Sequence, residues 1–308
     1  MTIRSQESAR RPVLTGEVIQ STLERAKQPL DLSEGEGCLS KRQLPSQGGT
    51  MVSSSSAVAV AAKAPINQER MERGFYLLAG CLLLAIVAVG FQQFYLHGRA
   101  NTGGPVTQQI VPLVFLHGIL MSTWIIFFLA QASLVVSGKR KLHMSLGVAG
   151  AVLAALLVIV GVTTALASVH YNPEGYKDIW GARRFLSLML TNILGFGTLA
   201  AIGLKCRRRP QIHRPMMFLA TLFVAGPAGL FRIPFISGPI MASIHTIFAT
   251  WVPMLILGVI LLLIKGLMTR SWDRYLALGF AGIVVACILQ VFVANTAWWY
   301  HLAGFVTA

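Results

Sequence analysis

From Gly74 onward the chain is a succession of long apolar runs, separated by short breaks in which Lys, Arg, Gly and Pro collect. The runs are continuously apolar. They lack the strict alternation of a half-buried strand and reach the roughly 20 residues a membrane helix needs. Transmembrane β-barrels alternate lipid-facing and lumen-facing residues, so the same continuity argues against one. The pattern predicts seven spans, near 74–96, 110–136, 144–168, 185–204, 215–235, 241–264 and 275–297. Pro112 suits the first turn of the second span, where its missing N–H costs nothing. Gly226-Pro227 and Pro253 are expected to kink the fifth and sixth. Pro253 would also leave the carbonyl of Ala249 without a helical donor, to be met by Thr250 or a water.

Residues 1–68 read differently. They are polar, free of aromatics, and include Ser53-Ser54-Ser55-Ser56 and Gly48-Gly49. Such a segment buries too little surface to fold alone, and a disordered cytoplasmic tail is expected. No apolar core follows the first basic residues, so it is not a signal peptide. Its Arg and Ser content suits a transit peptide, but Glu7, Glu17, Glu24, Asp31, Glu34 and Glu36 count against one. The expected organisation is this tail at 1–68 and a membrane domain at 69–308.

Composition agrees: the chain is 55% hydrophobic and 12% charged, against about 25% charged residues in soluble domains. The net charge of +15 does not point to nucleic acid, because the basic residues sit between apolar runs, as membrane loops do. Lipid headgroups are the expected anionic partner. Lys63, Arg70, Arg73, Lys139, Arg140, Lys141, Lys205, Arg207, Arg208, Arg209, Arg214, Lys265, Arg270 and Arg274 fall on one side of the predicted topology. Arg99, Lys177, Arg183, Arg184 and Arg232 fall on the other. That asymmetry puts the amino terminus inside and the carboxyl terminus outside, as an odd number of spans requires. The fold class is therefore an all-α integral membrane protein, a bundle of seven transmembrane helices, expected in the inner membrane. Cys38, Cys81, Cys206 and Cys287 are far apart and form no C-x-x-C, so neither a disulfide framework nor a zinc site is indicated.

Candidate chemistry follows from what the spans lack. From Gly74 on, the only acids are Glu174, Asp178 and Asp273, all in predicted loops. A carboxylate relay and a carboxylate-rich di-iron site are thereby disfavoured, and with them a proton-coupled transporter. Histidine remains. His117 falls about two turns into the second span and His245 about one turn into the sixth, both towards the outer side. His143 and His213 open the third and fifth spans at the inner side. Both follow a basic cluster in a partial repeat, SGKRKLHMSLG and CRRRPQIHRPMMF. Four helices thus supply two pairs at matched depth, the arrangement by which a bundle holds haem between imidazoles. His117, Trp124 and Gln131 recur every seven residues and share one helical stripe. Such a stripe lines a flat ligand, haem or quinone, or makes interhelical hydrogen bonds. Arg232, at the outer end of the fifth span, either pairs with an anionic group such as a haem propionate or reaches the headgroups. His97, His170 and His301 sit at outer ends without metal-ligand spacing.

The segment LHGILMSTWIIFFLAQASLVVSGKRKLHMSLGVAG followed by IHRPMMFLATLFVAGPAGLFRIP resembles bacterial multi-pass membrane proteins of a domain-of-unknown-function family. The shared features are H-G-x5-W-x6-Q, a basic turn, L-H-x3-G and H-R-x-M-M, over roughly residues 74 to 300. A more distant likeness is to two-haem transmembrane cytochromes b and ferric reductases. That likeness implies haem b, with His117 and His245 as iron ligands and His143 and His213 as a second pair. The leading expectation is a membrane-embedded redox protein that moves electrons across or within the membrane, with a quinone or a redox protein as its possible partner. The alternatives are a non-haem protein that binds lipid or quinone, or assists assembly of a respiratory enzyme, and, behind these, a small-molecule transporter.

Overall fold

The computed structural model describes residues 66–98, 107–172 and 181–307. The expected disordered tail lies almost wholly outside them. Among the described residues there are helices and no strand. Ten α-helices follow in order: α1 Ile66–Gly90, α2 Gln92–His97, α3 Val111–Val136, α4 Arg140–Tyr171, α5 Ala182–Lys205, α6 Pro210–Phe231, α7 Pro234–Ser243, α8 Val252–Thr269, α9 Arg274–Ala294 and α10 Ala297–Thr307. Seven of them, α1, α3, α4, α5, α6, α8 and α9, are long and apolar enough to cross a membrane. The protein is a multi-pass, all-helical membrane bundle.

The helix α6 is the central column. Its sequence is apolar on every side, which suits a helix surrounded by others, and 78% of its most apolar window is buried, against 39% or less for any other span. It packs against α5, α1, α9 and α8. The antiparallel pair α3 and α4 lies outside it, on α1 and α5.

Pro215 and Pro227 both lie inside α6. Pro227 has no N–H, so the carbonyl of Phe223 loses its helical donor. Asn192 of α5 supplies one, with Nδ2 donating to Phe223 O at 2.6 Å. This is how a proline survives in a membrane helix: a neighbour satisfies the freed carbonyl. Replacing Asn192 with leucine is expected to cost about 1–3 kcal/mol, because a buried carbonyl is left bare. Thermal unfolding in detergent measures it.

The α1–α6 crossing is close because two glycines meet there. A Cβ on Gly90 would lie 2.3 Å from the backbone oxygen of Gly229. Backbone cannot swing aside as a flexible side chain can. Gly90→Ala is expected to destabilise by about 1–3 kcal/mol through overpacking, again read as a lower unfolding temperature.

Two helix starts differ most from the sequence reading. The first helix begins at Ile66, not near Gly74, because the polar turn that carries Glu69, Glu72 and Arg73 is helical and paired. The sixth span is α8, beginning at Val252 rather than near 241. The apolar stretch before it is the short α7, an extended link at Ile244 and a 3-10 turn, Ile247–Thr250. Pro253 sits in the first turn of α8 and starts the helix instead of kinking it.

Candidate functional site

At the end of the bundle that carries the basic loops, α4 and α6 each begin with a basic turn followed by a histidine. His143 is in the first turn of α4 and His213 in the first turn of α6. Their ring centroids are 6.3 Å apart, with planes at 77°. His213 donates Nδ1–H to the carbonyl of Gly203 on α5 at 2.8 Å. A carbonyl can only accept, so the proton is on Nδ1 and Nε2 keeps its lone pair, the second-shell arrangement that orients a metal-ligating histidine. His143 is half-buried, and its buried Nδ1 has no hydrogen-bond partner among the described residues.

The other sequence-marked residues are distributed as follows. His117, on α3, is half-buried, and its Nδ1 is also covered and unpaired among the described residues. The ring lies beside Gly161 of α4, whose missing Cβ leaves room for Ile193 of α5: a Cβ there would come within 2.6 Å of Ile193 Cγ1 but only 3.6 Å from His117 Cε1. Arg232, which ends α6, is within electrostatic reach of His117. Its guanidinium lies 4.1 Å from the Phe91 ring centroid and donates to Ala228 O at 2.8 Å. Trp124 is fully buried, donating Nε1–H to Thr221 Oγ1 at 3.2 Å and meeting Phe196 edge-on. Gln131 is half-buried, with both side-chain polar atoms covered and unpaired among the described residues.

His245 requires a correction. It is exposed and lies in the link between α7 and the 3-10 turn, not a turn into a membrane helix. Pro234 and Pro239 of α7 and the extended backbone at Ile244 and Thr246 divide the run that hydropathy alone reads as one span. The facing helix that an outer His117–His245 pair needs is therefore not formed by His245.

Asp273 lies, as expected, in the link before α9, but it takes part in an ion-pair cluster that the sequence did not reveal. Lys265, only 3% exposed, sits near the end of α8 and forms an ion pair with Asp273. Its Nζ also donates to Tyr76 Oη at 2.7 Å and lies 3.4 Å from a Glu72 oxygen. Asp273 does double duty as the N-cap of α9, accepting from the N–H groups of Tyr275 and Leu276 at 3.0 Å each. Glu72 reaches on to Arg214 at 3.3 Å; Glu69 lies 3.8 Å from Arg214 and 3.7 Å from Arg140, and pairs with Arg73. Glu72 and Asp273 thus partner the buried Lys265 at this end of the bundle. The legible signal was the i, i+4 spacing of Glu72 and Tyr76 just ahead of the first apolar run. Among the described residues no three His, Cys, Asp or Glu side chains gather as a metal site would require.

A redox cofactor has to be judged against these donors. Two imidazoles that hold one metal ion from opposite sides, at about 2 Å per bond, have ring centres roughly 6 Å apart. The His143–His213 separation fits that value, and the Gly203 bond leaves the correct nitrogen of His213 for it. Comparison with protein-family models, with curated proteins and with solved structures returns no match to this chain.

Proposed function

We propose that this protein is a membrane-embedded redox protein whose haem b iron is held by His143 and His213. The observation that carries the reading is the ring separation of 6.3 Å between histidines on two different helices, joined to the tautomer fixed by Gly203. When bound, haem supplies one-electron chemistry. The carbonyl of Gly203 fixes the His213 imidazole, an outer hydrogen bond of the kind that tunes a haem potential. The basic end faces the inside of the cell membrane by the positive-inside rule, and the exposed Lys139, Lys141, Arg207 and Arg208 beside it meet anionic headgroups. Electrons pass to a quinone or protein partner. The absorbance spectrum of the detergent-purified protein tests this. An intense Soret band that sharpens on reduction is expected; a colourless protein recovered from haem-supplied cells contradicts it.

A second reading is favoured by a different observation. His117 and Gln131, about four turns apart on the α3 stripe, both carry buried polar atoms without partners among the described residues, and buried polar groups are ordinarily satisfied. A non-haem protein that turns these groups onto a quinone or lipid meets that demand. A colourless protein whose unfolding temperature rises with added decylubiquinone or phospholipid supports this reading; indifference to both excludes it.

A further inference from the structure

The end of the bundle opposite the basic loops carries a short helix that the redox reading does not use. This helix, α10, follows α9 and packs on α4 and α5. Trp299 donates Nε1–H to Arg183 O at 2.8 Å, in the first turn of α5. His170, in the last turn of α4, meets Val306 O through Nδ1 at 2.9 Å. These two anchors lie about 10 Å apart along α10 at the helical rise per residue, yet both stand at the same end of an antiparallel helix pair. The helix therefore runs across that end instead of continuing along the bundle axis. Trp299 and Ala303 are buried there against Ala165, Val169 and Leu186.

The flanks of α10 differ in chemistry. Trp298, Leu302 and Phe305 are all exposed, Phe305 by 85%. At about 100° per residue, they share one flank, roughly a quarter-turn from the face that carries Trp299, Ala303 and Val306. On the other flank, the guanidinium carbons of Arg183 and Arg184 each lie 5.8 Å from the Tyr300 ring centroid. The helix itself contains no Asp, Glu, Lys or Arg. In the chain it follows directly on the last turn of α9, a membrane span whose Phe292 and Val293 are also exposed. We propose that α10 is an interfacial helix whose Trp298–Leu302–Phe305 flank sinks into the boundary between headgroups and acyl chains of the leaflet at this end. Its partner is a phospholipid surface. Three large apolar side chains on one flank are unfavourable in water and favourable in that boundary, where tryptophan collects. The arginines beside Tyr300 then lie on the flank turned to the headgroup phosphates, the division of apolar from cationic sides that holds a helix in the plane of a membrane. None of this depends on a haem.

The test is the accessibility of nitroxide labels on full-length protein in nanodiscs of phosphatidylcholine and phosphatidylglycerol. On a background of Cys38→Ser, Cys81→Ser, Cys206→Ser and Cys287→Ala, labels are introduced through Trp298→Cys, Leu302→Cys and Phe305→Cys. Lys141→Cys, exposed at the basic end, supplies the aqueous reference, and Ile288→Cys, exposed on α9, the lipid reference. The three α10 labels are expected to favour oxygen over a water-soluble nickel chelate several-fold more than the label at Lys141 does, as the label at Ile288 does. Labels open to nickel would place the flank in water. Labels closed to both reagents would place it against protein, a second copy included. Either result overturns the inference. Fluorescence gives a reading that needs no cysteine change. The emission lost in Trp298→Phe is expected to be quenched several-fold more by brominated phosphatidylcholine than by aqueous iodide, and the reverse order overturns the inference as well.

Discussion

Lys265→Met is expected to be the most damaging single change in the bundle, lowering stability by about 3 kcal/mol or more. The ammonium is nearly inaccessible and is held by Asp273, Tyr76 Oη and Glu72. Removing one partner of a buried ion pair strands the other, which costs about 3–5 kcal/mol in comparable sites. The stranded group here is Asp273, itself 15% exposed. Adding Asp273→Asn should recover much of the loss. It removes the stranded charge, and asparagine caps a helix about as well as aspartate, so the N-terminus of α9 keeps its acceptor. The measurement is thermal unfolding at one scan rate in one detergent. A single variant as stable as wild type, or a double variant worse than the single, refutes this account of the cluster.

The second large effect is spectroscopic. His143→Ala and His213→Ala are each expected to abolish bis-imidazole ligation and the absorbance that goes with it, while His245→Ala leaves the spectrum unchanged. The contrast follows from position. His143 and His213 are brought together from α4 and α6, whereas His245 is exposed between helices. His213→Ala also strips the Gly203 carbonyl of its donor, a loss of about 1 kcal/mol that circular dichroism and thermal unfolding distinguish from loss of fold. A spectrum lost with His245→Ala and retained with His213→Ala would return the site to the opposite end of the bundle.

Much of the architecture was legible in the sequence, because membrane helices announce themselves by length and composition alone. Seven runs led to seven spans. The errors arose where hydropathy is blind to backbone chemistry. The run containing His245 is apolar throughout, yet its prolines divide it, and Pro253 belongs to a helix start. The polar turn around Glu72 fell ahead of the first expected span because its charges find their partners on α6 and α8, and those contacts have no signature in the local sequence. Lys265 was read as a loop cation for the same reason. The matched settings of His143 and His213, each a histidine just after a basic turn, did reveal a shared level. Their adjacency depends on α4 lying beside the start of the central α6, and helix order around a column is not written in a hydropathy pattern. Asn192 is another case: its partner is a carbonyl freed by Pro227 on a different helix.

The central claim is that two imidazoles from different helices share one iron. Electron paramagnetic resonance of the oxidised, purified protein addresses it directly, because the spin state of ferric haem reports its axial ligands. The account expects a low-spin signal, as two strong-field imidazoles impose, replaced by a high-spin signal or none in His213→Ala. A high-spin signal in the wild type, or a low-spin signal that persists without His213, would contradict it.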